Sequence, residues 1–327
     1  MGYPDAVKNN DVEKSKKGGI KMGTKKISDE QKSEMIRKIQ LVNLNSLKKL
    51  DEISKKYGIK YWAAYGTLLG AVRHQGFIPW DDDLDVAMLR EDYEKLQQVP
   101  VEEWGDDCLF LTGRSDDLRH DKIFGRIYQK KSRIQSYKDV KNWKNPGDGK
   151  AWSTSMMCDV YVFDRITDDE QEWRRIYNKA RKITNIRYKL SKLDYQDKGK
   201  LKAVYLDFYG KLERFLYKKP WKRYVDILDK RIASSKEGKR VGIYYTEDPY
   251  KYNYEDMFPL QVLQFEDMEI PVPKNYEQIL TDMYGDYMQY PPESERYHIN
   301  FIYADLGNGE TFVIDPIPDS LGAEGKK

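Results

Sequence analysis

The stretch that most constrains the fold of this chain is residues 77–88, FIPWDDDLDVAM. It places four aspartates in five positions, between an aromatic turn and a short apolar run. Carboxylates this close repel one another and raise one another's pKa, so the cluster needs either a bound cation or a solvated loop. The two hypotheses for this stretch are therefore a metal site and an exposed acidic turn.

Within it, residues 83–88 alternate between acidic and apolar side chains with the period of a β-strand. Asp83 and Asp85 would then share one face of the strand, while the apolar residues between and after them point into the core. Two such carboxylates lie about 6–7 Å apart at Cα and can converge on one or two hard divalent cations.

A third carboxylate is expected from residues 155–164, SMMCDVYVFD. Asp159 precedes the run VYVF, whose apolar and aromatic character is typical of a core strand. On a neighbouring strand it would join Asp83 and Asp85, and the three would form a platform for Mg²⁺ or Mn²⁺. Asp164, at the end of that strand, is predicted to cap a turn.

A Gly-Thr pair lies upstream of the acidic stretch. Residues 59–65 (IKYWAAY) are predicted to form a buried strand, and residues 66–73 (GTLLGAVR) a short helix. Gly66 and Thr67 stand where the strand turns into the helix, where free backbone N–H groups and the helix dipole can hold a phosphate.

Three cationic side chains are candidates for neutralising the phosphates of a nucleotide. Arg73 and His74 end the predicted short helix, and Arg126 lies in KIFGRIYQKKSRI. A phosphate site beside metal-binding carboxylates predicts transfer at phosphorus, a reaction that depends on positioning and on charge stabilisation.

Helix-capping residues and the distribution of charge divide the rest of the chain into segments. Ser28 and Gln31 form a capping-box pattern, followed by apolar residues at helical spacing as far as Gly58, which predicts a long amphipathic helix. Residues 172–240 carry 22 Lys/Arg against 8 Asp/Glu, whereas the whole chain has 57 against 54. We therefore divide the chain into a disordered leader (1–27), a catalytic core (28–171), a basic helical insert (172–240) and a C-terminal part that completes the core (241–327).

Composition narrows the class of protein. Two cysteines, Cys108 and Cys158, are too few for a disulfide framework, and the sequence shows neither a signal peptide nor an apolar run of membrane-spanning length. A cytoplasmic protein is expected. The basic insert is either a solvated helix face or a surface for phosphate-rich polymers and the anionic inner face of a membrane.

The run AAYGTLLGAVRHQGFIPWDDDLDVAM resembles the signature of the LicD/fukutin-related family of phosphotransferases, which belong to the nucleotidyltransferase-fold superfamily. CDVYVFD is similar to the family's Asp-led strand, and MFPLQVLQFEDMEIPVPKNYEQILTDMYGDYMQYPPESERYH is similar to its C-terminal region, so the resemblance covers roughly residues 35–300. The chain departs from the family pattern at Val162, where a proline is usual, and at Arg126, where a lysine is common.

The resemblance implies an α/β (α+β) fold with a nucleotidyltransferase-like mixed sheet core. It implies transfer of a phospho-alcohol such as phosphocholine from CDP-choline, or another CDP-alcohol, to a hydroxyl of a cell-surface glycan or teichoic acid precursor. Asp83, Asp85 and Asp159 would hold the metals, and Asp82 or a metal-bound carboxylate would take the proton of the acceptor.

Three other functions stay open. A CDP-ribitol or CDP-glycerol transferase of the same family would use the same residues. A metal-dependent nucleotide-sugar transferase would use the Asp-x-Asp, although the GTLLG turn so close to it argues against this. A nucleic-acid-binding protein would use the basic insert, but no RNA or DNA motif accompanies the charge, so no nucleic-acid partner is expected.

Overall fold

A computed structural model of the chain describes residues 20–22, 28–115, 120, 122–136, 155–192, 225–232, 238–246, 250–296 and 301–314. The described helices are α1 (Asp29–Tyr57), α2 (Tyr65–His74), α3 (Arg90–Gln97), α4 (Glu170–Lys192), α5 (225–232), α6 (Tyr254–Met257) and α7 (Tyr276–Tyr284). The described strands are β1 (Ile20–Met22), β2 (Trp62–Ala63), β3 (Asp85–Leu89), β4 (Cys108–Leu111), β5 (Gly125–Gln129), β6 (Arg133–Ser136), β7 (Met157–Ile166), β8 (Arg240–Gly242), β9 (Lys251–Asn253), β10 (Gln261–Phe265), β11 (Met268–Val272), β12 (Phe301–Asp305) and β13 (Thr311–Ile314).

The main sheet has the strand order β2-β3-β7-β5-β4, and β8 joins it by pairing with β7 and with β9. β3 and β7 run parallel, whereas β2 pairs antiparallel with β3 and β5 pairs antiparallel with β7. The middle of β3, Val86 to Met88, is fully buried, as expected for a central strand. This mixed sheet with helices packed against it confirms the predicted α/β fold class.

Helix α1 is the long amphipathic helix that the sequence predicted. Ser28 Oγ accepts the N–H of Gln31 at 3.2 Å, and Gln31 Oε1 accepts the N–H of Ser28 at 3.0 Å, which completes the capping box. The helix ends at Gly58, whose φ of 65° is left-handed and costs a glycine little. The buried stripe of α1 contacts β5 and β7, so the helix covers the main sheet.

The first predicted strand is shorter than expected. Of residues 59–65 only Trp62–Ala63 pair with β3, because α2 already begins at Tyr65. Tyr65 has a φ of 48°, a conformation that non-glycine residues seldom adopt. The chain therefore turns abruptly from strand to helix, one residue before the Gly-Thr pair.

The strand predicted at residues 83–88 is shifted towards the C-terminus. It is observed at Asp85–Leu89, and Asp83 lies in the loop before it. Leu84 keeps one contact with the sheet, because its carbonyl accepts the N–H of Asp159 at 2.8 Å. The alternating pattern could not show which residue of β3 is the first to pair with a neighbouring strand, because that depends on the position of β7.

A second sheet has the order β1-β13-β12-β6 and packs on its own small apolar cluster, which includes Met35 and Phe301. Its strand β1 lies inside the segment 1–27 predicted to be a disordered leader, and it pairs in parallel with Phe312–Ile314. Strand pairing uses backbone groups, and three residues are too few to leave a periodic pattern. The rest of that segment, apart from residues 20–22, lies outside the described residues.

The basic insert predicted at 172–240 is helical in α4 and α5, and β8 begins at its last residue. Residues 193–224 and 233–237 lie outside the described part of the chain. No helix among the described residues combines the length and the apolar character that crossing a bilayer requires.

An ion-pair network, buried at Arg90 and Asp164 and exposed at Asp226, ties α5 to the C-terminal end of β3. We call it the arginine–aspartate network, and its members are Arg90, Arg114, Asp164, Asp226, Asp229 and Tyr245. Arg90 pairs with Asp164, donates to Asp229 at 3.0 Å and donates to the Tyr245 hydroxyl at 2.8 Å. The prediction that Asp164 caps a turn is wrong, because its partner Arg90 is distant in sequence and meets it only in the folded sheet. A small cavity lies beside this network and is lined by both arginines.

Candidate active site

Asp85 and Asp159 lie side by side in the main sheet. Asp85 opens β3, and its register partner across the parallel pair is Asp159 of β7. Register partners point to the same face of a sheet, so the structure brings these two carboxylates together. Behind them, Thr67 is buried and its Oγ1 accepts the N–H of Asp85 at 2.8 Å. Thr67, whose backbone N–H the sequence assigns to phosphate binding, therefore uses its side chain to fix the start of β3.

Two buried amides of α1 hold the acidic loop that precedes β3. Gln40 Nε2 donates to the carbonyls of Ile78 at 2.9 Å and Asp81 at 2.7 Å. Asn43 Nδ2 donates to the carbonyl of Asp82 at 2.8 Å. These side chains are only 2% and 3% exposed, so their hydrogen bonds are well protected from water. The loop backbone is therefore held against α1, which keeps the three aspartates of the loop close together.

The carboxylates of Asp81, Asp82 and Asp83 form a tight group in this loop. One oxygen from each lies within 4.8 Å of the others. Asp81 Oδ1 also accepts the N–H of Asp83 at 3.3 Å. A Cβ at Gly66 would lie 2.6 Å from Asp81 Oδ2, so glycine is needed there for Asp81 to approach the N-terminus of α2. We call Asp81, Asp82, Asp83, Asp85 and Asp159 the acidic cluster.

The pKa values of the four aspartates from 81 to 85 are all raised, so negative charge is disfavoured there. Burial is the largest cause that raises the pKa of Asp81, Asp82, Asp83 and Asp85. Repulsion between carboxylates adds to it, raising the pKa of Asp82 to about 6 and the pKa of Asp83 and of Asp85 well above the usual value. Asp83 is the exposed member of the loop group, whereas Asp81 and Asp82 are half-buried. A cation bound here would reverse these shifts.

Arg126 supplies one counter-charge to the cluster. It lies on β5 opposite Asp159 in the antiparallel register. Its Nε donates to Asp159 Oδ1, and its Nη2 donates to Oδ2 at 3.2 Å. The structure therefore places Arg126, which the sequence assigns to nucleotide phosphates, directly beside a predicted metal ligand.

The remaining carboxylates fit a hard divalent cation. Within the described ranges, Asp81, Asp82, Asp83 and Asp85 form no ion pair. Ionised carboxylates are acceptors only, and Mg²⁺ and Mn²⁺ prefer oxygen ligands of this kind. The donor set and the unbalanced charge both match such an ion.

Arg73 and His74 lie in a second group next to the acidic loop. We call it the arginine–aromatic cluster; its members are Arg73, His74, Trp80, Tyr290 and Arg296. The Arg73 guanidinium lies 4.9 Å from the Tyr290 ring centroid and 5.8 Å from that of Trp80. The Arg296 guanidinium lies 5.1 Å from Trp80 and 5.4 Å from Tyr290. Two guanidinium groups thus share the same pair of rings.

Hydrogen bonds fix the orientation of Arg73. Its Nη1 donates to the carbonyls of Tyr287 at 2.8 Å and Gln289 at 3.3 Å, and its Nε donates to His74 Nε2 at 3.0 Å. Burial and the charge of Arg73 lower the pKa of His74 below its usual value. A lowered pKa and a ring nitrogen that accepts from Arg73 both favour neutral His74 at pH 7, so the positive charge that the sequence suggested for it is not expected.

Sequence reasoning missed four residues of this region. Asp81 was visible in the aspartate run but fell outside the predicted ligand set. Gln40 and Asn43 left a weak signal, since they are amides on the apolar stripe of α1. Arg296 left none, because nothing in the sequence indicates that it meets Arg73.

Comparison with known proteins gives one family. Residues 58–146 match the model of the LicD/FKTN/FKRP nucleotidyltransferase domain. The chain is 28% identical over 274 residues to the lipopolysaccharide cholinephosphotransferase LicD of Haemophilus influenzae, which covers 82% of this chain and 97% of that protein. It is 44% identical over 48 residues to the human ribitol 5-phosphate transferase FKRP, or 15% of this chain and 10% of that protein. A Rickettsia prowazekii protein of uncharacterized function, RP689, is 49% identical over 75 residues, which are 22% of this chain and 28% of that protein.

The matched range contains the acidic loop, the start of β3 and Arg126, whereas Asp159 lies beyond it and joins the site through the register of β3 with β7. The long similarity to LicD extends over both parts. Residues 58–146 are therefore similar to the nucleotidyltransferase domain of the LicD/FKTN/FKRP family, and most of the chain is similar to LicD.

Proposed function

We propose that this protein transfers a phospho-alcohol, with phosphocholine as the favoured group, from a CDP-linked donor to a hydroxyl of a cell-surface glycan or teichoic acid precursor. The observation that carries the proposal is the acidic cluster. Asp81, Asp82 and Asp83 group within 4.8 Å in the loop, Asp85 and Asp159 are register partners on neighbouring strands, and Arg126 is the arginine that pairs with the cluster among the described residues. The relative that is similar over most of this chain is named a cholinephosphotransferase.

A divalent cation, Mg²⁺ or Mn²⁺, would be held by Asp83, Asp85 and Asp159, with Asp81 within reach. When bound, it would offset the negative charge of the donor's diphosphate and of the departing CMP. Arg126 would share Asp159 with the cation and keep that carboxylate oriented. Thr67 would maintain the position of Asp85 through its hydrogen bond to the backbone.

The other polar groups have roles that follow from their placement. The acceptor hydroxyl must lose its proton as it attacks phosphorus, and Asp82 or a metal-bound carboxylate would accept it. Arg73 and Arg296 lie beside the acidic loop and would bind the anionic CMP part of the donor. The backbone N–H groups around Gly66, at the start of α2, would bind a phosphate oxygen.

One specific observation favours a second candidate. The short similarity to human ribitol 5-phosphate transferase keeps CDP-ribitol as an alternative donor, with CDP-glycerol as its shorter analogue. These donors differ from CDP-choline in the head group alone, so the same carboxylates and cation would serve all three.

A ligand panel tests the proposal. Thermal stability is measured with CDP-choline, CDP-ribitol, CDP-glycerol, a UDP-sugar and an oligonucleotide, each with and without Mg²⁺. We expect a CDP-alcohol to raise the melting temperature only when Mg²⁺ is present, and release of CMP from that donor to follow. Stabilisation by the UDP-sugar alone would indicate a glycosyltransferase, and stabilisation by the oligonucleotide alone would indicate a nucleic-acid-binding protein; either result would contradict the proposal.

A further inference from the structure

Two aromatic clusters flank the acidic cluster, and their electrostatic character is opposite. In the arginine–aromatic cluster the rings of Trp80 and Tyr290 already contact two guanidinium groups. The second group, which we call the tyrosine box, consists of Tyr65, Tyr161, Tyr250 and Tyr284. Tyr161 and Tyr284 lie within electrostatic reach of Asp85, and Tyr284 also lies within reach of Arg73. The carboxylates would attract a cation to this group, whereas two guanidinium groups would repel it from the first.

The rings of the tyrosine box face different directions. Tyr65 and Tyr161 meet edge to face, with centroids 4.9 Å apart and an interplanar angle of 74°. Tyr65 and Tyr250 are 5.6 Å apart at 50°. The side chain of Tyr284 is 42% exposed and the other three are half-buried. Phe124 packs on Tyr161 with centroids 4.6 Å apart, and Tyr252 stacks on Tyr250 at 6.2 Å, so the solvent-exposed ring of the box is that of Tyr284.

The tyrosine box adjoins the predicted metal site. The residue before Tyr65, Ala64, donates its N–H to the carbonyl of Asp85 at 3.1 Å. Tyr161 is two positions after Asp159 on β7, so the two share a face of the sheet. Tyr284 lies within electrostatic reach of Asp85. A group held by these rings would therefore be next to a phosphate held at the carboxylates.

We propose that the tyrosine box binds the quaternary ammonium of a choline head group, while the arginine–aromatic cluster binds the CMP part, so that the donor lies across the acidic cluster between them. The inference rests on the proposed function. The choline nitrogen is separated by a two-carbon chain from the ester oxygen on phosphorus, so its site must adjoin the phosphate. Rings around a cation attract it through their negative faces, and nearby carboxylates strengthen this attraction.

A polyol head group is the rival occupant of the same space. The hydroxyl of Tyr65 is buried and has no hydrogen-bond partner among the described residues, so a ribitol hydroxyl could pair with it. Cation binding needs the rings, whereas polyol binding needs the tyrosine hydroxyl groups. Leucine and phenylalanine substitutions separate these two requirements.

The test compares CDP-choline with CDP-3,3-dimethylbutanol, a carbon isostere of the same shape without the positive charge. We expect wild-type protein to favour CDP-choline by about tenfold in kcat/KM, the size of a desolvated cation–π contact. Tyr250→Leu and Tyr284→Leu should reduce this preference towards unity, whereas Tyr250→Phe and Tyr284→Phe should keep it. Tyr284 is the more exposed position, so its variants report on the box even if those at Tyr250 fold poorly.

Tyr290→Leu is the matched control in the arginine–aromatic cluster, and it should weaken the use of both donors equally. An unchanged preference in both leucine variants would overturn the proposal, as would turnover of CDP-ribitol without turnover of CDP-choline. Direct binding of choline chloride, followed by saturation-transfer NMR, distinguishes failure of the box from failure of the function. If no CDP-alcohol is turned over but Tyr284→Leu removes choline binding and Tyr290→Leu does not, the box stands and the transferase assignment falls. Absence of choline binding in wild-type protein would overturn the box.

Discussion

The two ends of β3 carry clusters of charge that differ in balance. At its C-terminal end, Arg90 and Arg114 of the arginine–aspartate network meet Asp164, Asp226 and Asp229 in direct ion pairs. At its N-terminal end the acidic cluster has Arg126 as its paired cation among the described residues. The two clusters therefore lie at opposite ends of one strand. Each carboxylate of the arginine–aspartate network pairs with an arginine, whereas most carboxylates of the acidic cluster do not.

From this difference we infer that the balanced network is structural, and we propose that the unbalanced cluster is functional. Buried ion pairs that satisfy one another need no ligand, and removing one partner leaves an uncompensated charge. Carboxylates that are held together without counter-charges lower the stability of the fold, which is typical of sites that bind a cation or react. The cavity beside the balanced network is accordingly a packing feature.

The largest expected effect is the loss of activity when a carboxylate of the unbalanced cluster is neutralised. Asp85→Asn and Asp83→Asn should each lower the transfer rate by about a thousandfold, because the cation that offsets charge at phosphorus is worth several kcal/mol. The melting temperature should stay the same or rise, since repulsion is relieved. Initial rates in Mg²⁺ and thermal denaturation measure the two quantities. Near-normal turnover in either variant would show that the residue is not a metal ligand.

The balanced network should respond in the opposite way. Asp164→Ala leaves Arg90 buried without its main partner, so we expect the free energy of unfolding to fall by about 3 kcal/mol. The rate per folded molecule should change little, because Asp164 lies at the far end of β3 from Asp85. Chemical denaturation and active-site titration measure these effects. A stable variant with impaired chemistry would contradict the division between the two clusters.

The pH dependence of stability should reveal the acidic cluster directly. The pKa of Asp82 is raised to about 6, so the folded protein holds this proton more tightly than the unfolded chain does. The stabilisation from such groups is complete below about pH 4 and is lost as the pH rises through the folded-state pKa. We therefore expect metal-free protein to lose stability between about pH 4 and pH 7.

Mg²⁺ should reverse this trend, because the cation binds the deprotonated carboxylates. Thermal melts across this pH range with and without Mg²⁺, repeated on Asp82→Asn as the control, measure the effect. A metal-free profile that rises with pH would count against the raised pKa values.

The smallest effect is expected from removing a hydrogen bond that α1 makes to the backbone of the acidic loop. Asn43→Ala removes a buried hydrogen bond to the carbonyl of Asp82 and should lower the free energy of unfolding by about 1 to 2 kcal/mol. The transfer rate should fall severalfold, since the loop is then less well fixed. The matched control is Ser46→Ala. Ser46 is buried on the same helix, but its side chain contacts Gln129 and not the loop. Equal rate losses in both variants would mean that the loop is not positioned by Asn43.

Much of the local structure could be predicted from short stretches of sequence. The bounds of α1 followed from Ser28, Gln31 and Gly58, because capping boxes and left-handed glycines act within one helical turn. The position of α2 after a strand was also predicted. The bounds of β2 and β3 were less accurate, since a strand exists only where a partner pairs with it.

The sequence by itself determined that a family-specific acidic stretch follows a Gly-Thr turn and that a further aspartate leads a core strand. Only the tertiary structure decided that Asp159 meets Asp85 in register, that Arg126 pairs with Asp159, and that Arg296 joins Arg73. It also decided that Asp164 is an ion-pair partner and that residues 20–22 form a strand against β13. The physical reason is the same in each case. Hydrogen bonds within one turn depend on neighbouring residues, whereas charge pairing and strand register depend on chain segments that only folding brings together.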